Sequence, residues 1–201
     1  MRIRKYKVDP NLLIASGVLV ASFSALFVYI QQAAIMREQT ELLLEQTKAN
    51  AWPHLTISMS ISAIEDKITQ HRILISNRGT GPAIIEGVIV TYQGKSVQNW
   101  EQFYKLINVP DSIFINHSYH NIYGYIVRPG EDFQLIDWSI GKELMQYVYK
   151  RANDITIRIC YRSVYNDFWQ VKREGFYTDL EQNERQEIEQ CTFGGDSVFL
   201  Q

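Results

Sequence analysis

The chain has 201 residues, 46% hydrophobic and 21% charged, with a formal net charge of −2 and only two cysteines. That composition excludes a disordered chain and a disulfide-dense scaffold. Residues 51–201 carry 14 Lys and Arg against 18 Asp and Glu, so the basic surface that phosphate binding demands is missing and no nucleic-acid partner is expected.

Residues 1–11 form a basic N-terminus in which Arg2, Arg4, Lys5 and Lys7 precede an uncharged apolar run, residues 12–30. At about 1.5 Å per residue, a helix over this run matches the roughly 30 Å hydrocarbon core of a bilayer. A cleavable secretory signal has a shorter core of about 7–15 residues and a small-x-small site. Here the run passes into Gln31-Gln32-Ala33-Ala34, and the segment reads as a retained single-pass transmembrane helix. The basic flank keeps the N-terminus cytoplasmic and sends the remainder across the membrane. Gly17, Ala21 and Ala25 make a small-xxx-small stripe, a candidate helix–helix contact for a homo-oligomer.

Residues 31–52 contain no Gly or Pro and are rich in helix formers, which predicts a helical neck that Pro53 ends. Val28, Ile35, Leu42 and Ala49 recur every seven residues, but Gln32, Gln39 and Gln46 occupy the partner positions, so the coiled-coil pattern is incomplete.

Over residues 53–201 the period changes to two. Leu55, Ile57, Met59 and Ile61 alternate with polar residues, and a second strand is expected at 68–77. Asn77, Gly79, Gly81 and Pro82 predict a structural turn, the glycines supplying positive φ and Pro82 opening the next strand at 84–92. Trp100, Phe103, Tyr104 and Ile107 fall on one face of a short helix. Strands follow at 112–116, 121–128 and 131–137, then a helix at 139–151 and a hairpin of 155–162 with a strand through Trp169 and Val171. The acidic stretch 179–190 reads as a solvated helix or loop, and a simple partner for the basic residues Arg158, Arg162, Lys172 and Arg173. The fold class is mainly β: an immunoglobulin-like β-sandwich with two or three short helices, with a small β-barrel as the alternative.

The layout of span, neck and Asn77-x-Gly79-x-Gly81-Pro82-Ala83 turn, with the later Tyr161-x-Ser163-x-Tyr165-x-x-x-Trp169, resembles a diffuse group of uncharacterised bacterial membrane-anchored β-sandwich proteins. The resemblance implies an architecture and no activity. In a bacterium it places the C-terminal domain in the periplasm, behind an inner-membrane anchor.

Motifs for chemistry are missing. His117 and His120 have an HxxH spacing without a nearby third ligand, so no metal site is assigned, and neither catalytic nor cofactor-binding residues are identified. Gly79-Thr80-Gly81 is not a phosphate loop, because Pro82 removes the next donor. Cys160 and Cys191 are a candidate disulfide in an oxidising compartment, or two unrelated thiols. The expectation is a membrane-anchored periplasmic binding or scaffolding protein that is not an enzyme, works without cofactors and has an unidentified protein partner. The alternatives are a cytoplasm-facing ligand sensor and a membrane-tethered hydrolase.

Overall fold

The computed structural model describes residues 9–64, 67–115, 117–120, 122–139, 142–176, 183–193 and 198–199. Two compact units divide between Thr47 and Lys48. From Pro10 on, the first belongs to one 41-residue helix, α1 (Pro10–Asn50), none of whose residues is buried. Asp9 starts it by accepting the Asn11 amide on its carboxylate (3.1 Å), and Pro10 takes the first helical position, where a missing N–H costs nothing. The helix is long and apolar enough to cross a membrane. Gly17, Ala21 and Ala25 lie exposed along it, with open space around Gly17.

The second unit is built from antiparallel strands. β1 (Leu55–Ile64), β2 (Lys67–Asn77), β5 (Ser118–Tyr119) and β7 (Asp132–Asp137) form one sheet in the order β1-β2-β7-β5. β3 (Ala83–Tyr92), β4 (Lys95–Val97), β8 (Ile155–Arg162), β9 (Phe168–Glu174) and β10 (Asn183–Ile188) form the other, in the order β10-β9-β8-β3-β4, with β6 (Ile126–Val127) on the start of β3. Helices α2 (Trp100–Leu106) and α3 (Lys142–Tyr149) lie in the connections. Side chains alternate across each strand, and the inward sets of both sheets, such as Leu55, Ile57, Ile73 and Ile75 with Ile85, Val90, Ile157 and Val171, merge into one buried cluster.

Several expectations change. Residues 112–115 form no strand, and in 122–128 only Ile126 and Val127 pair; 116 and 121 lie outside the described residues. Of the acidic stretch, residues 183–188 are a strand rather than a helix or loop, because Arg185 and Asn183 turn inward while Glu184 pairs with Lys172 on β9; residues 179–182 lie outside the described residues. Arg173 is 2% exposed and belongs to no outer basic stripe. Its guanidinium donates to the Ile57 and Gly175 carbonyls and lies over the Phe176 ring.

Cys160 sits on the outward side of β8 and is bonded to Cys191, the Cα atoms 5.9 Å apart. Phe193 continues from there over Gly87, where any Cβ would meet its ring at 2.6 Å. Phe199 donates its amide to Val88 O (2.8 Å), filling the gap on the β3 edge between β6 and β4.

The turn after β2 works differently from its sequence reading. Neither Gly79 nor Gly81 has a positive φ. They are glycines because the chain passes against them: a Cβ on Gly79 would stand 2.2 Å from Trp52 O, and one on Gly81 1.9 Å from Ala51 O. Asn77, fully buried, holds this crossing. Its Oδ1 accepts from the amides of His54 (3.1 Å) and Gly79 (3.0 Å), and its Nδ2 donates to the carbonyls of Gly81 and Val127 (both 2.9 Å).

Replacing Asn77 by Ala orphans two part-buried amides and two buried carbonyls, so Asn77→Ala should lower stability by about 3 kcal/mol. Urea unfolding of the full chain in detergent micelles reads this directly; a loss below about 1 kcal/mol would show that the crossing does not depend on the carboxamide.

Candidate functional site

The second unit carries a half-open cleft of about 750 Å³ between α2 and the segment that follows it. Asn99 caps α2 by accepting the Gln102 amide (2.8 Å), while the Gln102 side chain accepts from Gln98 N (2.6 Å), a reciprocal pair that fixes the helix start. The chain leaves α2 through Asn108, whose φ of 53° a short amide side chain tolerates, and Val109 N bonds back to Tyr104 O (3.0 Å). Tyr147 on α3 donates its hydroxyl to Asn108 O (2.8 Å). The reversal brings Val109, Asp111, Ile115, His117 and Tyr119 to the cleft beside the helix.

Its walls are Trp100, Tyr104, Val109 and Ile115, with His117 and Tyr119 across from the helix. The rings form a series: Tyr104 meets His117 edge-on at 5.4 Å, and His117 stacks on Tyr119 at 5.3 Å. Tyr119 is half exposed, whereas Trp100 and Tyr104 are buried. Glu101, Lys105 and Asp111 supply exposed charges of both signs at the rim. Two buried polar atoms here have no hydrogen-bond partner among the described residues, Trp100 Nε1 and His117 Nδ1. Burial lowers the His117 pKa below its ordinary value, with Glu101 pulling weakly the other way, so the ring is neutral at neutral pH.

Behind the cleft the core is aromatic. Trp138 Nε1 donates to Tyr104 Oη (3.0 Å), and burial pushes that phenol up. Trp100 packs edge-on against Trp138 (5.5 Å) and against Phe199 (4.8 Å). Trp138 in turn lies 5.0 Å from the ring of His71, which is fully buried and rests its Nε2 against Met59 Sδ.

The HxxH pair is divided in role. His117 lines the cleft, and His120 packs edge-on to Phe133 at 5.7 Å. No group of three or more His, Cys, Asp or Glu side chains poised for a metal occurs among the described residues. Asn77, Gly79 and Gly81 lie at the structural crossing, and neither they nor the Cys160–Cys191 bridge lines the cleft. Sequence reading assigned Trp100 and Tyr104 to a core face and gave Glu101, Lys105 and Tyr119 no role. The available signal was the i, i+4 pair Glu101 and Lys105 beside that aromatic face.

Compared with protein-family models, with curated proteins and with solved structures, the chain matches none.

His71 makes the unit acid-sensitive. Burial holds its pKa down to about 4 from an ordinary 6.5, against the opposing pull of the Met145 carbonyl and Asp137. The unfolded chain therefore takes up a proton between these values that the folded chain refuses, so the contribution to stability is full above pH 6.5 and is lost as pH falls toward 4. Between pH 7 and pH 4.5, His71→Leu should lose about 2 kcal/mol less stability than the parent chain, measured by urea unfolding at each pH. Parallel losses in the two proteins would place the acid sensitivity elsewhere.

Proposed function

We propose that the protein is a membrane-anchored, non-catalytic binding module: a single-pass inner-membrane helix with its N-terminus in the cytoplasm carries an immunoglobulin-like sandwich in the periplasm, and the cleft beside α2 is its binding site. The observation that carries the binding reading is a cleft of about 750 Å³ lined by the rings of Trp100, Tyr104, His117 and Tyr119, with Glu101, Lys105 and Asp111 at its rim. Its volume falls in the roughly 300–1,000 Å³ range of small-molecule sites.

Strand order supports the sandwich over a barrel. The sequence β1-β2-β7-β5 corresponds to the A-B-E-D sheet of an immunoglobulin domain, and β9-β8-β3-β4 to its G-F-C-C′ sheet, with β10 added at the edge. The uncharged run behind four basic residues supports the anchor and its orientation, and the Cys160–Cys191 bridge suits an oxidising compartment. A second reading, a membrane-tethered hydrolase, draws on Glu101 and Asp111 sharing the cleft with His117. Against it, no Ser, Thr or Cys among the described residues lines the cleft as a nucleophile.

Two experiments test the proposal. A reporter active only outside the cytoplasm, fused after Gln201, should be active, and Cys160 and Cys191 should accept a thiol label only after reduction; an inactive reporter with freely labelled thiols would overturn the orientation. Saturation-transfer NMR of a small-fragment library on the full chain in nanodiscs should find binders whose signal falls in Tyr119→Ala. A library without such binders would overturn the binding reading.

A further inference from the structure

We infer that the second unit carries a docking surface for a second copy of this chain, with Phe114, Ile115, Tyr119, Tyr123 and Ile126 as its apolar contacts. In sequence, residues 112–127 hold no Lys, Arg, Asp or Glu, in a chain that is 21% charged. In the structure these five side chains are all exposed, from 45% at Ile115 to 79% at Phe114. The other large apolar side chains exposed on the described part of the second unit, Trp52, Ile61 and Val164, are scattered singly along the sequence. Single exposures need no explanation, whereas a cluster marks a contact surface.

The five belong together because of how their stretch of chain is pinned. Ile115 and Tyr119 share the wall of the cleft, with Phe114 next to Ile115. β5 pairs with β7 in one sheet and β6 pairs with β3 in the other, so the chain passes here from sheet to sheet. Phe133 on β7 holds both ends of that passage, meeting His120 at 5.7 Å and Tyr125 at 4.2 Å. Ile122 and Val127 are buried. With these side chains turned in, Tyr119, Tyr123 and Ile126 face out.

Charge and area select the occupant. An isologous contact sets a surface against itself, so any charge in it faces a like charge; a surface without charges carries no such penalty. A charged partner would bury its own charges here unpaired. The exposed parts of the five side chains amount to about 600 Å², so two copies bury about 1,200 Å², the lower end of a specific interface. A contact of that size is weak between free chains. Helix α1 is long and apolar enough to cross a membrane, and copies held in one bilayer meet at a raised effective concentration.

The test is energy transfer between full chains, labelled at the N-terminus with donor or acceptor and reconstituted in liposomes over a range of protein-to-lipid ratios. The parent chain should pair. The double variant Phe114→Glu, Tyr123→Glu changes two exposed positions outside the cleft lining and sets like charges across the contact, so it should weaken pairing at least tenfold. Gln186→Glu, exposed on β10, should leave pairing unchanged. Thermal unfolding confirms that each variant is folded. Pairing undiminished in the double variant overturns the inference, and its loss in Gly17→Leu alone then assigns the contact to α1. A monomeric parent chain overturns it as well. In that case, bimane attached to Phe114→Cys and quenched by brominated lipid assigns the surface to the bilayer, and unquenched bimane shows it solvated.

Discussion

The carboxamide of Asn77 has two acceptor positions and two donors, and the fold uses all four. It ties the chain entering β1 at His54 to the turn at Gly79 and Gly81 and to β6 at Val127. Its backbone is also engaged, with the amide donating to Glu131 O and the carbonyl accepting from Gly130 N. Three segments distant in sequence therefore converge on one fully buried polar side chain, in a place where an unpaired amide would cost more than the paired one contributes. Gly79 and Gly81 let residues 51–54 pass in direct contact, and Trp52 O takes the amides of Thr80 and Gly81. The register of β1 against β2 begins at this crossing, with Leu55 opposite Asn77.

From that start the edges of both sheets are managed by side chains and short segments. At the β1 edge, Asn183 donates to and accepts from the backbone of Ile57, as a neighbouring strand would, and Tyr161 Oη meets Leu55 N. Arg185 lies over the ring of Trp52 at 4.0 Å and over Trp169 at 5.4 Å, holding β10 against residues that flank β1. The β3 edge is shared among β6, Tyr125, Phe199 and β4, so no long run of unpaired backbone remains there. The C-terminal residues that complete this edge are held by the Cys160–Cys191 bridge and supply Phe199, whose ring backs Trp100 at the cleft wall. Edge protection and the cleft thus share one set of contacts.

Charge was a poor guide to position. Arg173 and Arg185 read as surface residues in a basic and an acidic stretch, yet one reaches inward to backbone carbonyls and the other lies against two indoles. A guanidinium is planar and weakly hydrated enough to do this, and nothing in a local sequence window distinguishes it from an exposed one. The same limit hid β10, whose six residues carry three charges and so suggest solvent. Its pairing with β9 depends on what the inward side chains find.

The sequence by itself determined what depends on neighbours along the chain. An uncharged apolar run is a candidate span wherever it occurs. Alternation in 55–61, 155–161 and 169–171 makes strands because successive side chains must point to opposite faces, and Trp100, Phe103 and Tyr104 make a helix face by their spacing. The tertiary structure alone decided what depends on distance through space. It showed that Gly79 and Gly81 serve close approach rather than positive φ, and that the two cysteines lie near enough to bond. It also gathered Glu101, Lys105, Asp111, His117 and Tyr119 around one cleft. The cleft exists because Asn108 reverses the chain after α2, and a single residue's φ leaves no periodic trace in a sequence.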